Sequence, residues 1–466
     1  MSKIHWSNAV DGDFGDAGNW SAGTVPGRND GAILSADGGA RYTVTASANE
    51  IIGRLSIARG DALSIAGGSF TIRRGVDLAK RSTIAVSGGS TLRLRGSNSG
   101  YSAYFNESVI SVGDGSKAIL KSADVVQCLL RSAGSGKFIV KGQCYVYTQI
   151  KGTTAIRVGA GLSGFFDLQG VTRLAKAGGA ELIVGVSSNA GSVTLHEGDG
   201  IVGYAGQPNP FLRNERTGVI AGAGQIGAGD IPGGKLFLLN DGVIDARGRG
   251  LLTIDTGGRA MVNNGIIEAT DRGRGKIESR VRNFGVLKAA GGDLLVNRPV
   301  FGTGSAVIDG GTLAFGSTFS QDVAFTGSAG VLKLARSQDY AGTVSGFSKT
   351  GGTSLDLLDI GFTGAGEASF SGNHNSGVLT VTDGTHTAHI ALTGDYIGVT
   401  FVASSDGHGG VNIVDTSAPA LAPAHALIAA MAAMPAAGGA TATAANDAHA
   451  QPWRPMLAAA GHAHFA

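Results

Sequence analysis

One seven-residue phrase recurs along the middle of this chain. It reads NDGVIDA at residues 240–246, NNGIIEA at 263–269 and NFGVLKA at 283–289, and a looser copy begins at Asn214. The copies follow one another at intervals of roughly 20 to 26 residues, which is the length of one turn in many stacked-repeat proteins. This spacing predicts a solenoid in which each copy occupies the same place in successive turns.

The positions inside the phrase suit one turn of a parallel β-coil. Its glycine is predicted to form a sharp corner with positive φ, which glycine tolerates. Its fifth residue is predicted to face inward beside the equivalent residue of the next turn. These residues are, respectively, Gly242, Gly265 and Gly285, and Ile244, Ile267 and Leu287. Two interpretations of the leading asparagine stay open: a buried stack of amides or an exposed turn residue.

Composition favours the same fold. Glycine supplies 78 of the 466 residues, more than twice its average share of about 7%. No G-X-Y period is present, which excludes collagen. Residues 41–205 contain short alternating apolar runs broken by glycines, and no helical period interrupts them. The sequence therefore predicts an all-β protein, a right-handed parallel β-helix over residues 41–345.

Residues 1–40 have a different composition and are predicted to form an N-terminal cap. A solenoid's first turn exposes unpaired strand and apolar core, which an aromatic-bearing segment with Trp6 and Trp20 would cover. Three acidic residues in this segment, Asp11, Asp13 and Asp16, suggest a calcium site, because hard cations prefer clustered carboxylates. The alternative is a plain acidic turn without any cofactor.

The remaining expectations concern the C-terminal third and the location of the protein. Residues 346–415 are predicted to form a C-terminal β module, and residues 416–466 an alanine-rich, disordered or helical tail. No apolar run has the length of a secretory signal or a transmembrane segment. Cys128 and Cys144 fit either a disulfide between adjacent turns or two buried thiols.

The C-terminal segments carry a resemblance to a known group of proteins. They read GTGSAVIDGGTL at 302–313, GVLTVTDGTHTA at 377–388, IALTGDY at 390–396 and FVASSDGHGG at 401–410. This series resembles the C-terminal module of Gram-negative adhesin-like or haemolysin-type proteins that type I machinery exports. The phrase GNWSAGTVPG at 18–27 and the Asn-x-Gly turns are similar to those proteins and, more loosely, to autotransporter passengers. The calcium-binding nonapeptide repeats of many members are absent.

The resemblance implies a secreted or cell-surface protein with a structural or adhesive function and an export signal in residues 416–466. Its implied partners are the type I export machinery and an extracellular matrix, glycan or host surface. A net charge of +2 gives no general reason to expect nucleic acid. A phage-derived fibre is a further alternative, although the sequence contains no trimerisation coil.

Candidate ligand-binding residues lie in a basic segment after the second copy of the phrase. Arg272, Arg274, Lys276, Arg280 and Arg282 are predicted either to hold an anionic glycan or to belong to a solvated loop. We predict no catalytic residues. The alternative is a carbohydrate-active β-helix, a polysaccharide lyase or glycosidase with Asp245 and Asp255 as candidate acids.

Overall fold

A computed structural model describes residues 1–95, 108–203, 208–227 and 235–416, with short gaps at 122–124, 127, 142, 148–149, 152–154, 159–160, 166, 169–170, 175–180 and 185. Within these residues the chain is an all-β parallel solenoid, as predicted. Its helical content there is limited to two single turns of 3-10 helix, Ala17–Asn19 and Ser337–Asp339.

Three long sheets form the sides of the solenoid, and neighbouring strands of each sheet come from successive turns. Face 1 consists of 14 parallel strands. They are Gly12–Asp13, Thr43–Ala46, Ala62–Ile65, Thr83–Val86, Ser108–Val112, Cys128–Ser132, Ile150–Lys151, Asp167–Leu168, Val186–Asn189, Phe211–Asn214, Phe237–Asn240, Met261–Asn263, Val281–Asn283 and Val300–Phe301.

Face 2 follows face 1 in each turn and continues further along the chain. Its parallel strands are Glu50–Ile52, Ser69–Ile72, Thr91–Arg95, Lys117–Lys121, Lys137–Lys141, Ala155–Val158, Val171–Leu174, Ser192–Leu195, Val219–Gly222, Val243–Arg247, Ile266–Thr270, Val286–Ala290, Ser305–Ile308, Asp322–Phe325 and Thr343–Ser345. Thr387–Thr393 then pairs in parallel with Thr343–Ser345. Ser376–Thr382 and Ala368–Gly372 extend the sheet in antiparallel fashion.

Face 3 completes each turn and also contains 14 strands. Its parallel strands are Val125–Val126, Gln143–Tyr147, Gly161–Phe165, Glu181–Val184, Gly200–Gly203, Gly224–Ile226, Leu251–Ile254, Arg274–Ile277, Asp293–Val296, Thr312–Phe315, Gly330–Leu334 and Thr350–Leu357. The antiparallel strands Val411–Thr416 and Thr400–Ser405 follow. A shorter parallel sheet near the N-terminus contains Lys3–His5, Gly31–Leu34, Arg54–Ile57 and Val76–Leu78.

The repeated phrase occupies the same place in each turn, at the corner between face 1 and face 2. Ile244, Ile267 and Leu287 are in register on adjacent strands of face 2 and are fully buried. Side chains of a strand alternate between its two sides, so every second residue of these strands joins the core. The predicted buried column is confirmed.

The first residues of the chain contribute a cluster of buried aromatic rings. Phe14 packs edge-on against Phe70 and Trp20, with ring centroids 5.0 and 4.9 Å away. The indole N–H groups of Trp6 and Trp20 donate to the carbonyl oxygens of Val10 and Phe14. These buried polar groups are therefore satisfied. The assignment of residues 1–40 as a separate cap stays a prediction.

At the other end, parallel pairing gives way to antiparallel pairing. Thr350–Leu357 pairs in parallel with Gly330–Leu334 on one side and antiparallel with Val411–Thr416 on the other. Residues 1–417 form one compact unit. The division into a helix ending at residue 345 and a module at 346–415 stays a prediction. Beyond residue 416, the predicted tail lies outside the described residues.

Two smaller expectations concern the cysteines and the membrane. Cys128 begins a strand of face 1, whereas Cys144 lies in a strand of face 3, so they belong to different sheets. In the described part of the chain, no helix has the length and apolar character needed to cross a membrane.

Candidate functional site

The leading asparagines of the repeated phrase form a ladder of buried amides. The side-chain Nδ2 of each donates to the Oδ1 of the next, from Asn189 to Asn214, Asn240, Asn263 and Asn283, over distances of 2.7 to 2.8 Å. All five side chains are fully buried. The amide-stack interpretation is confirmed, and the exposed-turn interpretation is wrong for this column.

The ladder extends one residue further at each end than the repeats indicate. Asn189 precedes the first copy and opens its own Asn-x-Gly triplet, so its role was legible from the sequence. Gln321 receives the last bond, 2.7 Å from Asn283 Nδ2, and returns one to the Asn283 carbonyl oxygen. Gln321 follows the last strand of face 1, Val300–Phe301, and belongs to no copy of the repeated phrase, so no signal in the sequence indicated its role.

The glycines of the phrase lie at the predicted corner, but the predicted reason for glycine there, a positive φ, is wrong. Gly242, Gly265 and Gly285 do not adopt positive φ. Instead, a Cβ on Gly265 would overlap the carbonyl oxygen of Gly242, and a Cβ on Gly285 would overlap that of Gly265. Glycine is required because the backbones of successive turns approach closely at this corner.

The outward residues of the same strands form a second column, which differs from copy to copy. Asp245, Glu268 and Lys288 are in register on adjacent strands of face 2. Lys288 Nζ lies 3.6 Å from a Glu268 carboxylate oxygen, and the Thr270 hydroxyl donates to Asp245 over 2.8 Å. Two carboxyl groups and an ammonium therefore share one stretch of this face.

The two carboxyl groups of this column differ in their surroundings. Only 8% of Asp245 is exposed, and its burial raises the pKa of its carboxyl group above the ordinary value. The Thr270 hydrogen bond and the charge of Arg247 oppose that shift in part. Asp255, the other acid suggested by the sequence, lies in a turn after face 3 and accepts a hydrogen bond from the Gly257 N–H. It is not part of the column.

The predicted basic segment is divided between strands of two faces and the turns beside them. Arg274 and Lys276 lie in a strand of face 3, and Arg282 lies in the next strand of face 1. Arg272 occupies a turn with φ of 63°, and Arg280 lies in the turn between the two strands. Three of the five residues therefore lie in strands, which the buried Gly275, Ile277 and Val281 hold in the sheets, and two lie in turns.

The two groups of cations differ in their partners. Lys276 Nζ lies 2.6 Å from a Glu278 carboxylate oxygen, and Arg274 is in register with Asp293. Within the described residues, Arg280 and Arg282 form no ion pair, and both are exposed. Arg272 and Arg274 likewise form no ion pair within the described residues, so among the five cations an ion pair neutralises Lys276 alone there.

The three acidic residues proposed for calcium each serve a different local contact. Asp11 accepts from the Thr43 N–H, Asp13 from the Gly15 N–H and the Ser47 hydroxyl, and Asp16 from the Gly18 N–H. In the described part of the chain, no three His, Cys, Asp or Glu residues are grouped as metal ligands. Calcium binding at these residues stays a prediction.

The fold thus defines the class, a parallel β-solenoid, and the column and basic residues supply its candidate surfaces. Neither a protein-family model nor a curated protein sequence matches this chain significantly. Function is therefore inferred from the residues of the chain itself.

Proposed function

We propose that this chain is a structural and adhesive β-solenoid of the bacterial cell surface or extracellular medium, exported through a type I-like pathway. The observation that carries the proposal is the continuous amide ladder from Asn189 to Gln321. The ladder satisfies the buried asparagines of successive turns by one repeated contact. The outward side chains of these turns are therefore not needed to satisfy this column. Those side chains are then free to vary toward a partner.

The adhesive part of the proposal is tested with a panel of immobilised neutral and acidic polysaccharides. We expect the purified full chain to be retained on at least one of them, without release of reducing ends or unsaturated products. A chain that is retained by none of the polysaccharides would contradict glycan adhesion. A host-surface partner would then be sought with cells in place of glycans.

The export part of the proposal rests on the resemblance of residues 302–410 and on the alanine-rich tail. Its test compares secretion of the full chain with that of a chain lacking residues 416–466, in a bacterial host that carries type I machinery. A control replaces the tail with a Gly/Ser linker of equal length. We expect the full chain alone to reach the medium, and equal secretion of all three would overturn the assignment.

The outward column favours a second candidate, a glycoside hydrolase. Asp245 and Glu268 lie in register on adjacent strands, whose backbones are about 4.8 Å apart. Retaining enzymes use two neighbouring carboxyl groups roughly 5 to 5.5 Å apart. Asp245, with its raised pKa, would protonate the leaving glycosidic oxygen while Glu268 attacks the anomeric carbon and the glycosidic C–O bond breaks. Water would then release the sugar from Glu268, with Asp245 accepting its proton.

The same polysaccharide panel separates the two functions. Release of reducing ends that disappears in both Asp245→Asn and Glu268→Gln, with binding retained, would establish the hydrolase. The Asp255→Asn variant is the matched control, because Asp255 lies outside the column. Retention without products in the wild-type chain would exclude hydrolysis of the glycans tested.

A further inference from the structure

Exposed basic and aromatic side chains lie together on the outside of face 1. Arg280, Arg282 and Phe284 alternate with the buried residues Val281 and Asn283, so the three exposed side chains share the outer side of one extended segment. The next strand places Phe301 in register beside Arg282. We call Arg280, Arg282, Phe284 and Phe301 the basic-aromatic patch.

The two rings of the patch are unusually open for their size. Phe284 is 52% exposed and Phe301 is 44% exposed, whereas Phe14, Phe70 and Phe315 of the core are 2% exposed or less. Large apolar groups left in water add little to folding, and their grouping is typical of an interaction surface. Val262, half-buried and in register with Arg282, continues this apolar surface by one turn.

The charges of the patch lack partners inside the described part of the chain. Neither Arg280 nor Arg282 forms an ion pair there. Two positions along a strand are separated by roughly 7 Å. The patch therefore presents two guanidinium groups on neighbouring outward positions beside exposed rings.

We propose that the basic-aromatic patch binds an acidic polysaccharide built from uronate residues, an inference that rests on the adhesive function proposed above. A guanidinium group binds a carboxylate through two parallel hydrogen bonds. A phenyl ring packs against the apolar face of a sugar and needs no polar partner of its own. A polymer with a carboxylate on each residue offers the repeated charge that Arg280 and Arg282 match.

The polymer is expected on face 1 and not on face 3. Lys276 is neutralised by Glu278 at 2.6 Å, and Arg274 lies beside Asp293. Binding there would require displacing or repelling a carboxylate. Of the five basic residues predicted from the sequence, Arg280 and Arg282 belong to the patch, Arg274 and Lys276 lie on face 3, and Arg272 lies in the turn before that strand.

The test measures retardation of the full chain in native gels containing polygalacturonate, with dextran gels as the neutral reference. We expect retardation only in polygalacturonate, and weaker retardation as salt is raised. Arg282→Ala and Phe301→Ala should each reduce the apparent affinity about tenfold, a change worth about 1.4 kcal/mol. Arg282→Lys should restore part of it, because charge returns without the bidentate contact.

The matched control is Arg274→Ala, which removes the same charge from face 3 and should leave the affinity within about twofold. Thermal melting of all variants checks that the fold is retained, as expected for exposed side chains. An equal loss in Arg274→Ala, or unchanged binding in Arg282→Ala and Phe301→Ala, would overturn the patch while leaving adhesion intact. Binding to neutral glycans alone would overturn the uronate specificity, and failure on every glycan would overturn both the patch and glycan adhesion.

Discussion

Polar side chains find their partners differently in two regions of the molecule, the parallel turns at residues 186–300 and the antiparallel end at residues 350–416. In the first region, a buried asparagine repeats from turn to turn, and one amide ladder satisfies the whole column. In the second, acidic residues have individual partners: Asp383 Oδ2 lies 2.9 Å from His386 Nδ1, and Asp395 Oδ2 lies 3.0 Å from His374 Nδ1.

The difference shows what a parallel register makes available. Parallel in-register strands place identical residues beside one another, so one successful contact can be copied into every turn. Antiparallel pairing places different residues side by side, so each polar group needs an individual partner. Asp415, fully buried with no hydrogen bond to either carboxylate oxygen, has no such partner among the described residues.

The largest effect is expected at a corner glycine of the parallel region. Gly265→Ala introduces a Cβ that overlaps the backbone carbonyl of the preceding turn, which neither turn can move cheaply. We expect a loss of about 4 kcal/mol or more in the free energy of unfolding. Gly364→Ala, in the antiparallel end, meets no atom within 4 Å and should change stability by less than about 1 kcal/mol. Urea denaturation of both variants provides the measurement, and equal losses would contradict the close-approach explanation.

A smaller but still large effect is expected within the ladder. Asn263→Ala removes the acceptor of Asn240 and the donor to Asn283, and leaves both neighbours buried. Each unsatisfied buried group costs about 1 to 3 kcal/mol, so a loss of about 3 kcal/mol is expected. Asn264→Ala is the control, because this exposed neighbour contacts only the surface carboxylate of Asp241. Similar losses in both variants, measured by urea denaturation, would mean that the ladder is not what stabilises the corner.

In the antiparallel end, the unpartnered acid predicts a dependence on pH. Burial raises the pKa of Asp415 to about 6, and the charge of Lys349 opposes the shift. The folded chain holds this proton to higher pH than the unfolded chain, so stability falls as pH rises from about 4 to about 6. Asp415→Asn should therefore stabilise the protein at pH 7.5 by about 1 kcal/mol, after allowing for solvent screening.

Urea titrations of the wild-type and Asp415→Asn chains at pH 4 and 7.5 measure this difference. The advantage of the variant should shrink at pH 4, where Asp415 is protonated in the folded chain and about half protonated in the unfolded chain. An advantage of equal size at the two pH values would show that ionisation of Asp415 is not the cause.

The smallest effect is expected at the exposed histidine pairs of the same end. Hydrogen bonds from the His386 backbone and ring hold the pKa of Asp383 well below its ordinary value. Its contribution to stability is present above the ordinary carboxyl pKa and is lost as pH falls through the folded value. Asp383→Asn should remove this acid dependence: the variant should be less stable than the wild-type chain at neutral pH and approach it as pH falls, as chemical denaturation at several pH values would reveal. An undiminished acid dependence would assign it to other carboxylates.

Much of the solenoid was predictable because the sequence pattern of each turn specifies its structure locally. The interval between copies, the inward Ile267 and the asparagine of each turn follow from a period and an alternation that any reader of the chain can find. The candidate binding surface was harder to predict from the sequence. Arg274 and Arg282 are close in sequence, yet they belong to two faces, because a turn of the chain separates their strands.

By itself, the sequence determined that this protein is a parallel β-solenoid and which column of side chains is buried. The tertiary structure decided three other features. Gly265 must lack a Cβ, Gln321 ends the ladder, and Phe301 lies beside Arg282. The physical reason is common to all three: each depends on a contact with another turn, and only the register of the coil decides which residues meet there.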